Sequence, residues 1–162
     1  MSIGVLFVCL GNICRSPTAH GVFEQRLARR GLAAAIQVDS AGTGDWHIGR
    51  APDPRTQAAA ARRGYDLGAL RARQVEPADF QRFQYILAMD AENLGNLELM
   101  RPAGFDGELS LFLQYAQGVA EREVPDPYYG GAEGFDRVLD LVENAADGLL
   151  DQLVRRHALR VS

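Results

Sequence analysis

Apolar positions along this chain follow two different rhythms. Val5-Leu6-Phe7-Val8 is an unbroken β-branched and aromatic run, the pattern of a strand covered on both faces of a parallel sheet, and it stops at Cys9. Beyond Asn12 and Ile13, Ser16-Pro17 predicts a helix start, with Ser16 as the capping hydroxyl and the proline at the first helical position. Val22, Phe23 and Leu27 then follow at helical spacing. Ile36 to Ser40 predicts a second strand, entered from Gly31 and left through the turn-prone Ala41-Gly42-Thr43-Gly44. Asp53-Pro54 opens an alanine-rich helix that stops near Gly64. Tyr85 to Met89 predicts a third strand, after which Asp90 caps a helix reaching Met100, where Pro102 and Gly104 break it. A weaker strand lies near Leu109 to Phe112. From Glu133 to His157 one face carries Phe135, Val138, Leu139, Val142, Leu149, Leu150 and Leu153, which predicts a long amphipathic helix.

Alternating strands and helices imply an α/β fold: a single three-layer domain over residues 1–162, with a four-stranded, mostly parallel sheet and helices on both faces. Such sheets bind ligands outside the carboxyl ends of their strands, where Cys9 stands. Residues 104–131 form the least regular stretch, and loops of that length often carry function. A hydrophobic share of 47% with 23% charged residues fits a soluble globular chain. The formal net charge of -4 argues against general nucleic-acid binding, so any anion site must be built locally. The apolar start MSIGVLFVCLG has no basic segment before it, which does not match a secretion signal, and no run is long enough to insert in a membrane. The only cysteines, Cys9 and Cys14, are too few for a disulfide scaffold or a thiolate metal site, so a reducing cytoplasm is the expected compartment.

The sharpest feature is Cys9-Leu10-Gly11-Asn12-Ile13-Cys14-Arg15-Ser16, with five residues between the cysteine and the arginine and the whole set between a buried strand and a helix start. Backbone N–H groups of a loop curling into a helix N-terminus converge on one point, where the helix dipole adds positive potential. A phosphate fits that point. Arg15 offers a planar fork for two phosphate oxygens, Gly11 permits unusual backbone angles, and the same field favours a Cys9 thiolate facing the phosphorus. The plainer reading makes Cys9 a small buried hydrophobe and Arg15 a surface charge.

Val8-Cys9-Leu10-Gly11-Asn12-Ile13-Cys14-Arg15-Ser16-Pro17-Thr18-Ala19 resembles the signature of the low-molecular-weight protein tyrosine phosphatases. Other segments resemble that family in the same order: Asp39-Ser40-Ala41-Gly42-Thr43, Trp46 with Gly49 to Pro54, Ala72-Arg73-Gln74, and Asp126-Pro127-Tyr128-Tyr129-Gly130-Gly131. The resemblance implies that Cys9 is the nucleophile, Arg15 the phosphate and transition-state binder, and Asp126 the general acid. It implies a phosphocysteine intermediate, no metal and no cofactor. It makes Asn12, Ser16 and Ser40 supports of the phosphate loop, and Trp46, Tyr128 and Tyr129 an aromatic rim beside the loop positions Leu10 and Ile13. A deep apolar slot of this kind selects phosphotyrosine or small aryl phosphates, because phosphoserine is too short to reach Cys9. Cys14 is implied as the partner of Cys9 in a reversible, protective disulfide.

Plainer readings stand beside these. Asp126-Pro127 commonly starts a turn, Ser16 caps a helix, Asn12 tolerates a left-handed turn, and the aromatics pack a loop. Asp53 and Asp90 read as helix caps and Asp39 as a strand end. His20, His47 and His157 lie on unrelated segments and are not expected to ligate metal. A thioredoxin-coupled arsenate reductase shares the loop but needs a third cysteine, and a non-catalytic phosphotyrosine-binding or redox-sensing module would not need both Cys9 and Asp126. The expected assembly is a monomer, with a weak dimer through exposed aromatics as the alternative, and no nucleic-acid partner or membrane insertion.

Overall fold

Strand β1 (Ile3–Cys9) is buried at every position because it occupies the centre of the sheet. It pairs in parallel with β2 (Ile36–Gly42) on one side and β3 (Tyr85–Ala88) on the other, and β4 (Glu108–Leu111) adds in parallel to β3. The computed structural model describes residues 3–160, so the ends of the expected 1–162 span lie outside the described residues. The pleat of β1 sends its side chains to two cores. Val5, Phe7 and Cys9 face the larger one, shared with α1 (Arg15–Arg29), α2 (Pro54–Arg62) and α5 (Ala132–His157). Leu6 and Val8 face the smaller one, closed by α3 (Asp79–Arg82) and α4 (Ala91–Met100). The three-layer α/β fold is therefore built around the strand that ends in Cys9.

Phe7 anchors the larger core, with its ring edge-on to Phe23 of α1 at 5.7 Å and to Phe112 at 5.0 Å. Burial of a side chain this size contributes about 1.5–3 kcal/mol. Phe112 belongs to a 3-10 turn, Phe112–Tyr115, and not to the strand predicted to include it, because leaving β4 brings its ring over Phe7. Strand β3 stops one residue short of Met89, whose N–H nevertheless bonds Val8 O at 3.0 Å.

The largest local difference lies at α1. The helix begins at Arg15, with Cys14 as its cap and no side-chain capping bond, so Ser16 and Pro17 are the second and third helical residues. Ser16 is not a cap, because its hydroxyl is drawn to Cys9 and Asn12. The other two predicted caps form: Asp53 Oδ1 accepts from Arg55 N at 2.8 Å, and Asp90 Oδ1 accepts from Asn93 N at 2.7 Å. Four-residue α3 was too short to give a periodic signal.

Candidate active site

Strand β1 cannot continue past Cys9, and the chain turns sharply through Asn12, whose φ of 58° is left-handed. Neighbouring segments brace the outside of this turn. Thr43 N–H donates to Cys9 O and Gly44 N–H to Leu10 O, both at 2.9 Å, while Asp53 N–H donates to Ile13 O at 2.9 Å. A side chain at position 42 would not permit this, since a Cβ on Gly42 would lie 2.7 Å from Leu10 O. With its carbonyls tied outward, the loop turns its Asn12 N–H to Cys9 Sγ, at 3.2 Å.

A second bond reaches the sulfur from the helix. Ser16 Oγ lies 3.0 Å from Cys9 Sγ, accepts a 2.7 Å bond from Asn12 Nδ2, and lies 3.5 Å from Ala41 O as a donor, so sulfur and Ala41 O both face the one hydroxyl. Asn12 Oδ1 in turn accepts from Arg73 N–H at 3.0 Å. Arg73 is itself held by Asp39 at 3.1 Å and by both oxygens of the fully buried Asp79, at 3.0 and 2.9 Å. Ser40 lies one layer back, where its hydroxyl meets His20 Nδ1 at 3.0 Å and ties α1 to β2.

Arg15 is only 4% exposed. Its Nη1 donates to Asp90 Oδ2 at 2.7 Å and to Val124 O at 3.1 Å, which fixes the guanidinium plane. Burial works against its charge, but Cys9 beside it and the Asp90 hydrogen bond outweigh that and raise it above the ordinary arginine value. Nη2 lies 4.0 Å from Asp126 Oδ2, and Asp126 Oδ1 accepts from Tyr128 N–H at 3.0 Å. The Asp126 side chain is 45% exposed, so it meets solvent as well as the arginine. Burial pushes the Cys14 thiol up to about 12, which keeps it protonated.

These groups share one cavity of about 430 Å³. Cys9, Arg15 and Asp126 line it together with the loop residues Leu10, Gly11, Ile13 and Cys14. Trp46, Tyr128 and Tyr129 form its aromatic side. Their exposures of 66%, 38% and 93% describe a rim and not a core. Asn12 and Ser16 are buried beneath the loop.

The sequence profile described as low molecular weight phosphotyrosine protein phosphatase matches residues 4–159. The chain belongs to this family. It is 46% identical to the low molecular weight phosphotyrosine protein phosphatase of Schizosaccharomyces pombe over 88% of this chain and 92% of that one. It is 43% identical to the low molecular weight protein-tyrosine-phosphatase YfkJ of Bacillus subtilis over 97% of this chain and 99% of that one. The fold superposes on the crystal structure of a protein tyrosine phosphatase from Entamoeba histolytica with a TM-score of 0.91 at 37% identity, covering 98% of this chain and 100% of that chain.

Several parts of this low-molecular-weight phosphatase site were not singled out as site residues in the sequence. Asp90 serves both α4 and Arg15, one carboxylate oxygen each. Its position just after β3, the strand next to β1, was the available signal, because neighbouring carboxyl ends share a crevice. His47 lines the cavity with its ring so close to the loop that a Cβ on Gly11 would lie 2.9 Å from His47 Cδ2. Arg73 acts through its backbone, and the resemblance of Ala72-Arg73-Gln74 to a family segment was the available signal. Among the described residues, no cluster of His, Cys, Asp or Glu is arranged to hold a metal ion, and no helix is long and apolar enough to cross a membrane.

Proposed function

We propose that the chain hydrolyses phosphotyrosine and other aryl phosphate monoesters in two steps, through a phosphocysteine on Cys9 and without metal or cofactor. The observation that carries this reading is that Cys9 Sγ, held at 3.2 and 3.0 Å by the Asn12 N–H and Ser16, opens into one cavity with Arg15 and Asp126. In the first step the thiolate attacks phosphorus, the bond to the phenolic oxygen breaks, and Asp126 gives that oxygen its proton. In the second, water attacks phosphorus and yields a proton to the Asp126 carboxylate, while the P–S bond breaks and Cys9 leaves as thiolate. Arg15, with its orientation set by Asp90 and Val124, neutralises charge on the equatorial oxygens throughout. Asn12 and Ser16 keep the phosphate loop in shape, and Ser40 supports it indirectly by seating α1 against β2 through His20.

The aromatic side of the cavity supports aryl selectivity. Trp46 and Tyr128 line the same cavity as Cys9, where a phenyl ring gains apolar contact that a phosphoserine side chain cannot make. Hydrolysis of a phosphotyrosine peptide and a phosphoserine peptide by wild type and Cys9→Ser, with EDTA present, tests the reading. Turnover of the first peptide only, lost by about 10³-fold or more in Cys9→Ser, is the expected result. Activity that survives the substitution or disappears with EDTA refutes it.

Two free cysteines in one cavity also suit reversible oxidation. Peroxide would convert the Cys9 thiolate to a sulfenic acid, and Cys14 would displace water from it to form a disulfide, which a thiol reductant reopens. With excess peroxide, inactivation that dithiothreitol reverses in wild type but not in Cys14→Ser, where a second peroxide carries the unprotected Cys9 sulfenic acid on to the sulfinic acid, is the expected result. A chain that depends on a free thiolate is suited to the reducing cytoplasm, and a monomer presents the rim to its substrate.

A further inference from the structure

Tyr128 joins two groups that lie on different elements. Its N–H donates to Asp126 Oδ1 at 3.0 Å, and its ring centre lies 5.2 Å from the Arg55 guanidinium. The same guanidinium stands 4.9 Å from the ring centre of Phe135, a buried residue of α5. Along its other edge Arg55 forks onto Asp53, Nε to Oδ1 at 3.1 Å and Nη2 to Oδ2 at 2.9 Å. Asp53 caps α2, and its own N–H bonds Ile13 O in the loop that follows Cys9. An unbroken series of contacts thus runs from the phosphate loop through Asp53 and Arg55 to Tyr128 and the Asp126 carboxyl.

A guanidinium suits this position because its plane stacks on aromatic rings while its edge pairs with a carboxylate. The Arg55 side chain is 48% exposed, so its ion pair contributes little to global stability. Its effect is geometric. We propose that Arg55 is a positioning residue that holds Tyr128, and through the Tyr128 N–H the Asp126 carboxyl, where a proton can pass to the leaving oxygen. This inference rests on the general-acid role proposed for Asp126. Loss of the contact leaves the Cys9 loop intact and slows only chemistry that requires the proton.

The test compares kcat/KM for phenyl phosphate, whose phenolate must be protonated as it leaves, with para-nitrophenyl phosphate, whose nitrophenolate leaves unaided. Wild type, Arg55→Met, Arg55→Lys and Asp126→Ala are assayed side by side. Arg55→Met is expected to lose about tenfold on phenyl phosphate and less than about threefold on the nitrophenyl ester, following the selectivity of Asp126→Ala in smaller measure. Arg55→Lys, which keeps a cation over the ring but not the fork, is expected to fall between wild type and Arg55→Met; should Arg55→Met not fold, the lysine variant carries the comparison. Equal loss on both esters, or none on either, while Asp126→Ala stays selective, overturns the role of Arg55 and leaves that of Asp126 standing. An Asp126→Ala enzyme without selectivity overturns both.

Discussion

The loop from Cys9 to Ser16 and the loop from Asp126 to Gly131 face each other across one cavity, yet they are built by opposite means. In the first, Cys9, Asn12, Arg15 and Ser16 are at most 4% exposed, and each is held by hydrogen bonds. In the second, the Asp126 side chain is 45% exposed and Tyr129 is 93% exposed. Two bonds of the second loop stay within it, from Tyr128 N–H to Asp126 and from Gly130 N–H to Pro127 O, and Arg55 grips it from outside. The division suits the proposed chemistry. Donors that stabilise a charged transition state act most strongly when buried and already oriented. A group that gives and takes protons must meet water, and a rim must open to release product.

Arg15→Lys attacks the buried side of this comparison most directly. A lysine keeps the charge but not the fork between phosphate, Asp90 and Val124, so kcat/KM on an aryl phosphate is expected to fall about 10²–10³-fold. A loss below tenfold would mean that charge alone, and not the held geometry, does the work. Stability measurements sharpen the contrast. Asn12→Ala removes the bonds to Ser16 and Arg73 and places an alanine at a φ of 58°, so urea unfolding should show a loss of about 1–3 kcal/mol. Tyr129→Ala, on the exposed loop, is expected to stay within about 0.5 kcal/mol of wild type. Similar losses in both would erase the distinction.

At pH values only slightly above neutral the effect of Cys14 on stability is the smallest of these, and it grows with pH. An unfolded cysteine ionises near pH 8.5, about as in model peptides, whereas burial holds the folded Cys14 thiol at about 12. Because the folded value is the higher one, the contribution of Cys14 is intact below about pH 8.5 and is lost as pH rises toward 12. Urea midpoints measured at neutral and alkaline pH should therefore fall less in Cys14→Ala than in wild type. An equal fall in both would contradict the buried, protonated state.

Much of this site was readable because it is local. Cys9, Arg15 and the strand and helix around them lie within one short segment, where apolar runs and turn chemistry specify structure directly. Asp126-Pro127-Tyr128 was readable by resemblance alone, since its partners, Arg15 and Arg55, are far away in sequence. Ser16 shows how a local rule is overridden. Its capping pattern was sound, but a hydroxyl two positions beyond the cap gains bonds to Cys9 and Asn12 that a cap would not offer.

By itself the sequence determined the alternation of strands and helices, the burial of β1 and the cysteine-to-arginine loop at its end, because each depends on side-chain rhythm and backbone preference over a few residues. Only the tertiary structure decided that Asp90 orients Arg15 across 75 residues, that the Arg73 backbone holds Asn12 across 61, and that Arg55 reaches Tyr128. Those pairings arise from sheet register and from how helices seat on two cores, and no local pattern of residues encodes where distant segments meet.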